Sequence, residues 1–334
     1  MTDTYSLPFS LFTRYKSLAN RVNDLRAGTE SLNILEVGGR GNYLRKFLPE
    51  DKITVLDVED SPDDNYVKGD GRKLPFEDDS FDVVVSTDVL EHITSSDRKK
   101  FLDEQQRVSK GIIILACPTN TDWIVRGEKR ANELYRFLSG KDHPWLIEHI
   151  DYTLPSRDAI EDWATGKKLQ IQKIFNQQPN LWAEMVMIDI VLPTVYTPRV
   201  SDAFAILSRF YNENVFSFDF GQDGYRSIYI FSKNKIKKFY HKTFSDIDPD
   251  NLVTLYSLTG QFWREVSNHW LDELRTKIVE VSMQANQLKK SEKANVELMT
   301  QVKQLKKRLG VTEQRLNDIT SSRAYKLWKK IRGS

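Results

Sequence analysis

A glycine-rich turn follows a short apolar run near the start of the chain. The run over residues 33–37 reads NILEV, and the next five residues, GGRGN, include three glycines. Apolar residues then return at helical spacing over 43–48. A strand that passes through such a turn into a helix directs backbone N–H groups at one point, and this point usually binds a ligand. The turn therefore predicts a strand–turn–helix unit with a ligand site at its centre.

Strand and helix patterns alternate on both sides of this turn. Helical spacing is found over 9–27, 43–48 and 98–108, and strand patterns are found over 33–37, 53–58, 81–86, 112–116, 169–175 and 227–232. The continuous apolar runs FDVVVS and IIILA are typical of strands covered on both faces. The alternation predicts an α/β fold, with a Rossmann-like, doubly wound, parallel sheet.

Residues 117–165 interrupt the alternation with several tryptophans and prolines. The segment is too long for a simple connection. We expect it to be an irregular insert that covers the ligand cleft as a lid. The expected first domain, including this insert, spans residues 1–245.

The sequence becomes helical after residue 245. A seam with alternating steps of three and four runs through Leu288, Ser291, Asn295, Leu298, Val302, Leu305, Leu309, Thr312, Leu316 and Ile319. An unbroken seam of this length predicts an α-helical coiled coil that joins copies into a dimer or trimer. The alternative is a helix packed on its own domain. We expect residues 246–320 to form this helical region, followed by a basic amphipathic tail over 321–334.

Charge is distributed unevenly along the chain. The C-terminal quarter has twice as many basic as acidic residues, and it ends in SSRAYKLWKKIRGS. This favours a tail that binds a protein partner or an anionic membrane surface, and argues against a nucleic-acid-binding core. One cysteine, Cys117, and the lack of a signal-peptide pattern lead us to expect a cytoplasmic protein, peripheral at the inner face of the membrane if the tail docks there.

The residues around the glycine turn discriminate among ligands. The dinucleotide pattern G-x-G-x-x-G fails at Arg40, and no Gly-Lys-Ser/Thr closes a P-loop. Glu36, two residues before Gly38, suits a cation better than a pyrophosphate. Asp57, at the end of the second strand, can accept hydrogen bonds from ribose hydroxyls, and Asp70 can accept one from the exocyclic amine of adenine.

Four segments in this order, LEVGGRGN, TVLDV, GDGRKLPFEDDSFDVVVSTDVLEHI and RVSKGIIILACP, resemble the class I S-adenosylmethionine-dependent methyltransferases, in particular the type 11 subgroup. The resemblance covers about residues 30–120 and implies S-adenosylmethionine as the cofactor. The cofactor-binding residues that it implies are Glu36, Gly38, Gly39, Gly41, Asp57, Asp70, Gly71, Ser86 and Thr87. The first four would surround the methionine part, Asp57 the ribose and Asp70 with Gly71 the adenine. Arg40 and Asn42 depart from the usual glycine pattern.

Methyl transfer to an alcohol needs a base as well as alignment. His92, just past the fourth strand, is the first candidate, and its alternative role is a solvent-facing residue at a helix start. Asp88 is the second candidate, or an N-cap. His149 in the insert is the third, or a packing residue. The chain has no H-x-x-x-H pattern, EF-hand pattern or cysteine cluster, and we expect no metal.

A type 11 methyltransferase domain followed by a coiled coil and a basic aromatic end resembles enzymes of bacterial surface-polysaccharide assembly. This resemblance implies O-methylation of a sugar in a lipid-linked or nucleotide-linked glycan, with a glycosyltransferase as a partner. Two alternatives stay open. One is a methyltransferase for small molecules or proteins, and the other is a non-catalytic coiled-coil scaffold.

Overall fold

A computed structural model describes residues 3–26, 28–39, 41–239, 241–287 and 292–321 of the chain. In this part of the chain, eight strands form one sheet. The strands are β1 (Asn33–Val37), β2 (Lys52–Asp57), β3 (Tyr66–Lys68), β4 (Phe81–Thr87), β5 (Ser109–Pro118), β6 (Gln170–Asn176), β7 (Phe220–Gly221) and β8 (Arg226–Ser232). Their order across the sheet is β3-β2-β1-β4-β5-β8-β6-β7.

Ten α-helices accompany these strands within the described ranges. They are α1 (Phe9–Leu25), α2 (Tyr43–Phe47), α3 (Arg98–Val108), α4 (Asp122–Ser139), α5 (Pro144–Tyr152), α6 (Arg157–Gly166), α7 (Pro179–Val191), α8 (Pro198–Asn214), α9 (Pro249–Gln287) and α10 (Glu292–Ser321). None of them combines the length and the apolar character needed to span a membrane. The predicted Rossmann-like α/β class is confirmed.

The sheet is mixed, and the prediction of a parallel sheet is wrong for one edge. Strands β1 to β5 pair in parallel, whereas β8 runs antiparallel to both β5 and β6. After α8 the chain returns at the carboxyl end of β6, where Phe220 pairs with Asn176. Strand β8 starts from that end, because Arg226 pairs with both Asn176 and Pro118. Apolar periodicity contains no information on the direction of a strand.

The insert over 117–165 is helical, and the expectation of irregular structure is wrong. It consists of the end of β5 followed by α4, α5 and α6. The buried face of α4 includes Ile124, Glu128, Ala131 and Asn132. Two polar residues on this face interrupt the apolar stripe that signals a helix in a sequence.

The described residues divide into two compact units. The first comprises positions 1–194 with 208–248, and the second comprises 195–207 with 249–334. The second unit therefore includes a segment that precedes β8 in the chain.

Helix α10 packs along α9 inside the second unit. Its half-buried positions include six of the predicted seam, namely Leu298, Val302, Leu305, Leu309, Thr312 and Leu316. Leu271 and Ala285 of α9 are buried, and Arg275 of α9 forms an ion pair with Glu313 at 3.8 Å. The seam is thus a packing face within one chain. Seam positions 288 and 291 and the tail over 322–334 lie outside the described residues.

Candidate active site

The path of the chain through the sheet reverses between β1 and β4. Strands β2 and β3 lie on one side of this pair, and β5 lies on the other. Ligands of open α/β sheets bind at the carboxyl ends of the strands at such a point. A cleft of about 310 Å³ opens there, and its lining includes Gly38, Asp57, Asp70, Gly71 and His92.

The turn after β1 requires glycine at positions 38 and 39, because neighbouring side chains leave no room for a Cβ atom. Gly38 has a φ of 81° and donates its N–H to the carbonyl oxygen of Leu56 at 2.7 Å. A Cβ atom on Gly38 would lie 2.2 Å from Cγ2 of Val89. A Cβ atom on Gly39 would lie 2.3 Å from Cδ of Glu36. The glycines therefore bring the turns after β1 and β4 together at the cleft.

Glu36 is a buried acid at the end of β1. Its exposed fraction is 1%, and neither carboxylate oxygen has a hydrogen-bond partner among the described residues. Burial raises the pKa of Glu36 to about 8, against the opposing charge of Arg14. A buried carboxylate without partners costs free energy. An ammonium group at this point would supply both the missing hydrogen bonds and the counter-charge, so Glu36 fits a cationic ligand.

The two other predicted acids, Asp57 and Asp70, line the cleft, whereas Glu36 does not. Asp57 ends β2, and its Oδ1 accepts a hydrogen bond from the N–H of Glu59 at 3.0 Å. Both oxygens of Asp70 accept hydrogen bonds from Arg72, which lowers the pKa of Asp70. Gly71 lies against Phe101, because a Cβ atom on it would approach Cε2 of that ring to 2.5 Å. Asp70 is thus an ionised, oriented acceptor at the cleft.

Some of the predicted cofactor residues do not line this cleft. Glu36 is one of them, since it is buried next to the lining residues Val37 and Gly38. Ser86 is fully buried and donates its hydroxyl to Oε1 of Gln105 at 3.1 Å. Thr87 is also buried, and Gly39 and Gly41 shape the turn without lining the cleft. The cleft is also lined by residues that were not predicted from the sequence, among them Val58, Ile93, Phe101 and Tyr152. Val58 is 64% exposed and directly follows Asp57 at the end of β2. An apolar residue at that position could have been predicted from the sequence to line the cleft.

Asp88 is held by two arginines. Nε and Nη2 of Arg226 donate to its two carboxylate oxygens at 2.8 and 2.7 Å, and Arg14 pairs with it at 2.8 Å. Burial acts to raise the pKa of Asp88, but the charges of Arg226 and Arg14 outweigh burial and hold that pKa well below its usual range. Asp88 is therefore ionised and fully engaged, which suits a positioning role better than that of a base.

His92 and His149 meet beside the cleft. Their ring centroids lie 4.8 Å apart. Nδ1 of His92 lies 2.7 Å from Oε2 of Glu148, and Nδ1 of His149 lies 2.8 Å from Oε1 of Glu128. Burial lowers the pKa of His92. Burial also acts to lower the pKa of His149, but the hydrogen bond with Glu128 outweighs it and raises that pKa.

Glu91 completes this group, and it was not predicted from the sequence. It lies in a short 3₁₀ helix, Leu90–His92, and its exposed fraction is 1%. Burial, together with the charge of Asp88, raises the pKa of Glu91 to about 8. Glu128 was missed as well, although an acid on the apolar face of α4 is a usable signal. Helices α4 and α5 of the insert therefore place three polar side chains, Glu128, Glu148 and His149, around His92.

Known proteins share parts of this sequence and fold. Residues 39–115 match the family described as "Methyltransferase domain". An uncharacterized methyltransferase of Mycolicibacterium vanbaalenii is 26% identical over 162 residues, which cover 40% of this chain and 61% of the relative. The chain thus spans less than two thirds of the length of that curated relative.

Two solved structures illustrate the fold similarity. A SAM-dependent methyltransferase from Thermotoga maritima is 14% identical, with coverage of 68% of this chain and 93% of that chain and a TM-score of 0.42. Magnesium protoporphyrin IX methyltransferase from Synechocystis PCC 6803, with bound S-adenosylhomocysteine, is 12% identical, with coverage of 66% and 82% and a TM-score of 0.38.

The matched family, the strand order and the cleft at the β1–β4 switch point agree with one another. Over residues 39–115 the chain is therefore similar to the class I S-adenosylmethionine-dependent methyltransferases. The cofactor of this class is S-adenosylmethionine. Its ammonium group matches the charge of the Glu36 carboxylate, which has no hydrogen-bond partner among the described residues.

We predict that Glu36→Gln flattens the pH dependence of stability of the cofactor-free protein. The pKa of Glu36 is about 8 in the folded state against an ordinary 4.5. Between these values the unfolded chain releases the proton and the folded protein keeps it, so the free energy of unfolding falls as pH rises. Urea unfolding between about pH 5 and 8 measures this. Glu50→Gln, at an exposed position, is the control and should follow the wild type. Identical pH profiles for Glu36→Gln and wild type would contradict the prediction.

Proposed function

We propose that the protein transfers a methyl group from S-adenosylmethionine to a hydroxyl oxygen of a sugar, in a cell-surface glycan or its precursor. One observation supports the hydroxyl acceptor. His92 lines the cofactor cleft and also contacts His149, so a proton-handling cluster adjoins the cleft. An alcohol needs such a cluster because it is a poor nucleophile until its proton is removed.

The residues at the carboxyl ends of β1 and β2 would hold the cofactor. Glu36 would pair with the ammonium group, Asp57 would accept hydrogen bonds from the ribose, and Asp70 with the N–H of Gly71 would bind the adenine. S-Adenosylmethionine supplies a methyl group that is already activated on a sulfonium sulfur. The protein therefore has to align the acceptor with that methyl group and exclude water. Tyr152 of α5 lines the cleft, so the insert takes part in covering it.

His92 is the residue of the chain best placed to take the acceptor proton. Its Nδ1 lies beside Glu148, so an N–H at that position donates to the carboxylate and leaves Nε2 with a free lone pair. Burial keeps His92 uncharged at neutral pH by lowering its pKa. Asp88, which both arginines hold in its ionised form, stabilises the turn on which His92 lies.

The glycan acceptor is supported by the arrangement of the chain rather than by the cleft. A methyltransferase domain followed by a helical unit and a basic, aromatic end is similar to enzymes of bacterial surface-polysaccharide assembly. The same cofactor cleft would serve a methyltransferase for small molecules or proteins. A non-catalytic scaffold would instead lack affinity for the cofactor.

We predict that calorimetric titration of the full chain with S-adenosylhomocysteine detects binding, and that Asp57→Ala weakens it tenfold or more. A lost hydrogen bond to a charged acceptor costs about 1.5 to 3 kcal/mol. Asp63→Ala, at an exposed position after the same strand, is the control and should bind like the wild type. No binding by the wild type at millimolar concentration would refute the proposed function.

The same preparation tests the acceptor with nucleotide-linked and lipid-linked sugars. His92→Ala should lower methyl transfer about 10²-fold or more with little change in affinity for S-adenosylhomocysteine. Transfer to small amines or thiols, and none to any sugar, would favour the first alternative. Cofactor binding without transfer to any acceptor would leave the scaffold alternative.

We also propose that the protein forms a dimer or trimer through α10. The seam is half-buried against α9, so part of its apolar surface is still open to a second copy. Light scattering of the full chain should give the mass of two or three copies. The mass of one copy would mean that α9 provides the whole partner surface for the seam.

The basic tail is proposed to dock the enzyme at the inner face of the membrane or on a glycosyltransferase. Each basic residue near an anionic bilayer contributes about 1 kcal/mol, and oligomers multiply the effect. Sedimentation with anionic lipid vesicles at low salt should retain the full chain and release a version that ends at Thr320. Equal sedimentation of the two would rule out the membrane.

A further inference from the structure

Three side chains beside the cofactor cleft direct ligand atoms at a common point. They are Glu91, His92 and His149, and one ligand atom from each lies within 4.8 Å of the other two. Glu91 and His92 are adjacent in the 3₁₀ helix after β4, whereas His149 comes from α5 of the insert. Because His149 lies more than fifty positions from the other two residues, no short sequence pattern reveals the group.

Each of the two imidazoles has a carboxylate beside its Nδ1. Nδ1 of His92 lies 2.7 Å from Glu148, and Nδ1 of His149 lies 2.8 Å from Glu128. Glu128 is itself fixed by the hydroxyl of Tyr225, which donates to it at 2.8 Å. A carboxylate that accepts the Nδ1–H of a histidine leaves Nε2 unprotonated and raises its basicity. This arrangement is the usual one around histidines that ligate a metal ion.

Two polar atoms of this group have no hydrogen-bond partner among the described residues. Oε2 of Glu91 and Nε2 of His149 are buried, and neither has a hydrogen-bond partner within the described part of the chain. The exposed fractions of the two residues are 1% and 7%. Unsatisfied buried polar groups are costly, and a cation shared between them would remove that cost. His92 is less buried and lines the cleft, so the point opens toward the cofactor.

We propose that Glu91, His92 and His149 bind a divalent first-row transition metal ion beside the cofactor cleft. Two imidazole nitrogens and one carboxylate oxygen suit Zn²⁺, Mn²⁺, Fe²⁺ or Co²⁺, whereas Mg²⁺ and Ca²⁺ prefer oxygen ligands alone. Metal–ligand bonds of about 2.1 Å place neighbouring ligand atoms about 3 to 4 Å apart. The three ligand atoms, which lie within 4.8 Å of one another, would therefore have to close slightly around an ion. Three protein ligands leave coordination positions open, as in catalytic metal sites.

This inference rests on the proposed function in one respect, namely that the acceptor hydroxyl would bind at an open coordination position of the metal ion. An acceptor hydroxyl bound there would lose its proton to solvent because the metal lowers its pKa. The oxygen would then form the new bond to the methyl carbon as the carbon–sulfur bond breaks, and the sulfur would leave as a neutral thioether with the electron pair. His92 would thus be a ligand instead of the general base, and the expectation of a metal-free site would be replaced.

Metal binding by the full chain is measured without any acceptor. The protein is treated with a chelator, dialysed and titrated with Zn²⁺ in a calorimeter, and Co²⁺ is titrated in parallel by visible absorption. We expect one equivalent of each ion, with Co²⁺ bands that report nitrogen and oxygen ligands in a low-symmetry site. No binding of either ion up to millimolar concentration would overturn the proposal.

Variants locate the ion. Glu91→Gln, His92→Asn and His149→Asn should each weaken Zn²⁺ binding at least tenfold, and Glu128→Gln should weaken it about 10- to 100-fold through His149. His269→Gln is the matched control, because His269 pairs with Glu273 at 3.3 Å in α9 but belongs to no group of three potential ligands in the described part of the chain. It should bind Zn²⁺ like the wild type. Unchanged Zn²⁺ affinity in all three ligand variants would overturn the proposal.

Titration with S-adenosylhomocysteine is repeated on every variant and serves as the test of folding. Variants that bind this compound but not Zn²⁺ support the metal site. Cofactor binding by a wild-type protein that takes up no metal would refute the metal site and leave the proposed methyl transfer standing. Zn²⁺ binding without cofactor binding would refute the proposed function and leave the metal site standing.

Discussion

The buried ion pair between Asp88 and Arg226 fixes the turn on which the acceptor side of the site is built. Their side chains are 11% and 4% exposed, and two hydrogen bonds join them. Removing one partner of such a pair typically costs about 3 to 5 kcal/mol, because the other charge is left buried. Arg226 is available at this point because β8 runs antiparallel and begins at the carboxyl edge of the sheet, opposite Pro118. The direction of one strand thus determines where the 3₁₀ helix with Glu91 and His92 can lie.

Two acids at the switch point, Glu36 and Glu91, are buried and incompletely hydrogen-bonded among the described residues. Glu36 after β1 and Glu91 after β4 are each 1% exposed, and burial raises the pKa of each to about 8. Each has a carboxylate oxygen without a hydrogen-bond partner in the part of the chain that the structure describes. Such groups lower the stability of a folded protein. They are found most often at ligand-binding and catalytic sites. We interpret both as cation sites, one for the ammonium group of the cofactor and one for a metal ion.

The helical insert provides the second layer of the site. Glu128 in α4 and Glu148 in α5 orient His149 and His92, and Tyr152 at the end of α5 lines the cleft. Rigid helices hold such partners more precisely than an irregular loop would. This explains why the buried face of α4 contains polar residues, which weakened its helical signature in the sequence.

The sequence by itself determined the α/β class, the strands around the glycine turn and the positions of Asp57 and Asp70 in the cleft, because these features depend on local periodicity and on residues a few positions from a strand end. The seam of α10 was likewise visible as a half-buried face. Only the tertiary structure decided that β8 runs antiparallel, that α9 packs against this seam, and that Ser86 lies against Gln105 and not along the cleft. It alone brought His149 and Glu91 together, since the folding of α4 and α5 over the end of β4 joins segments that no local pattern connects.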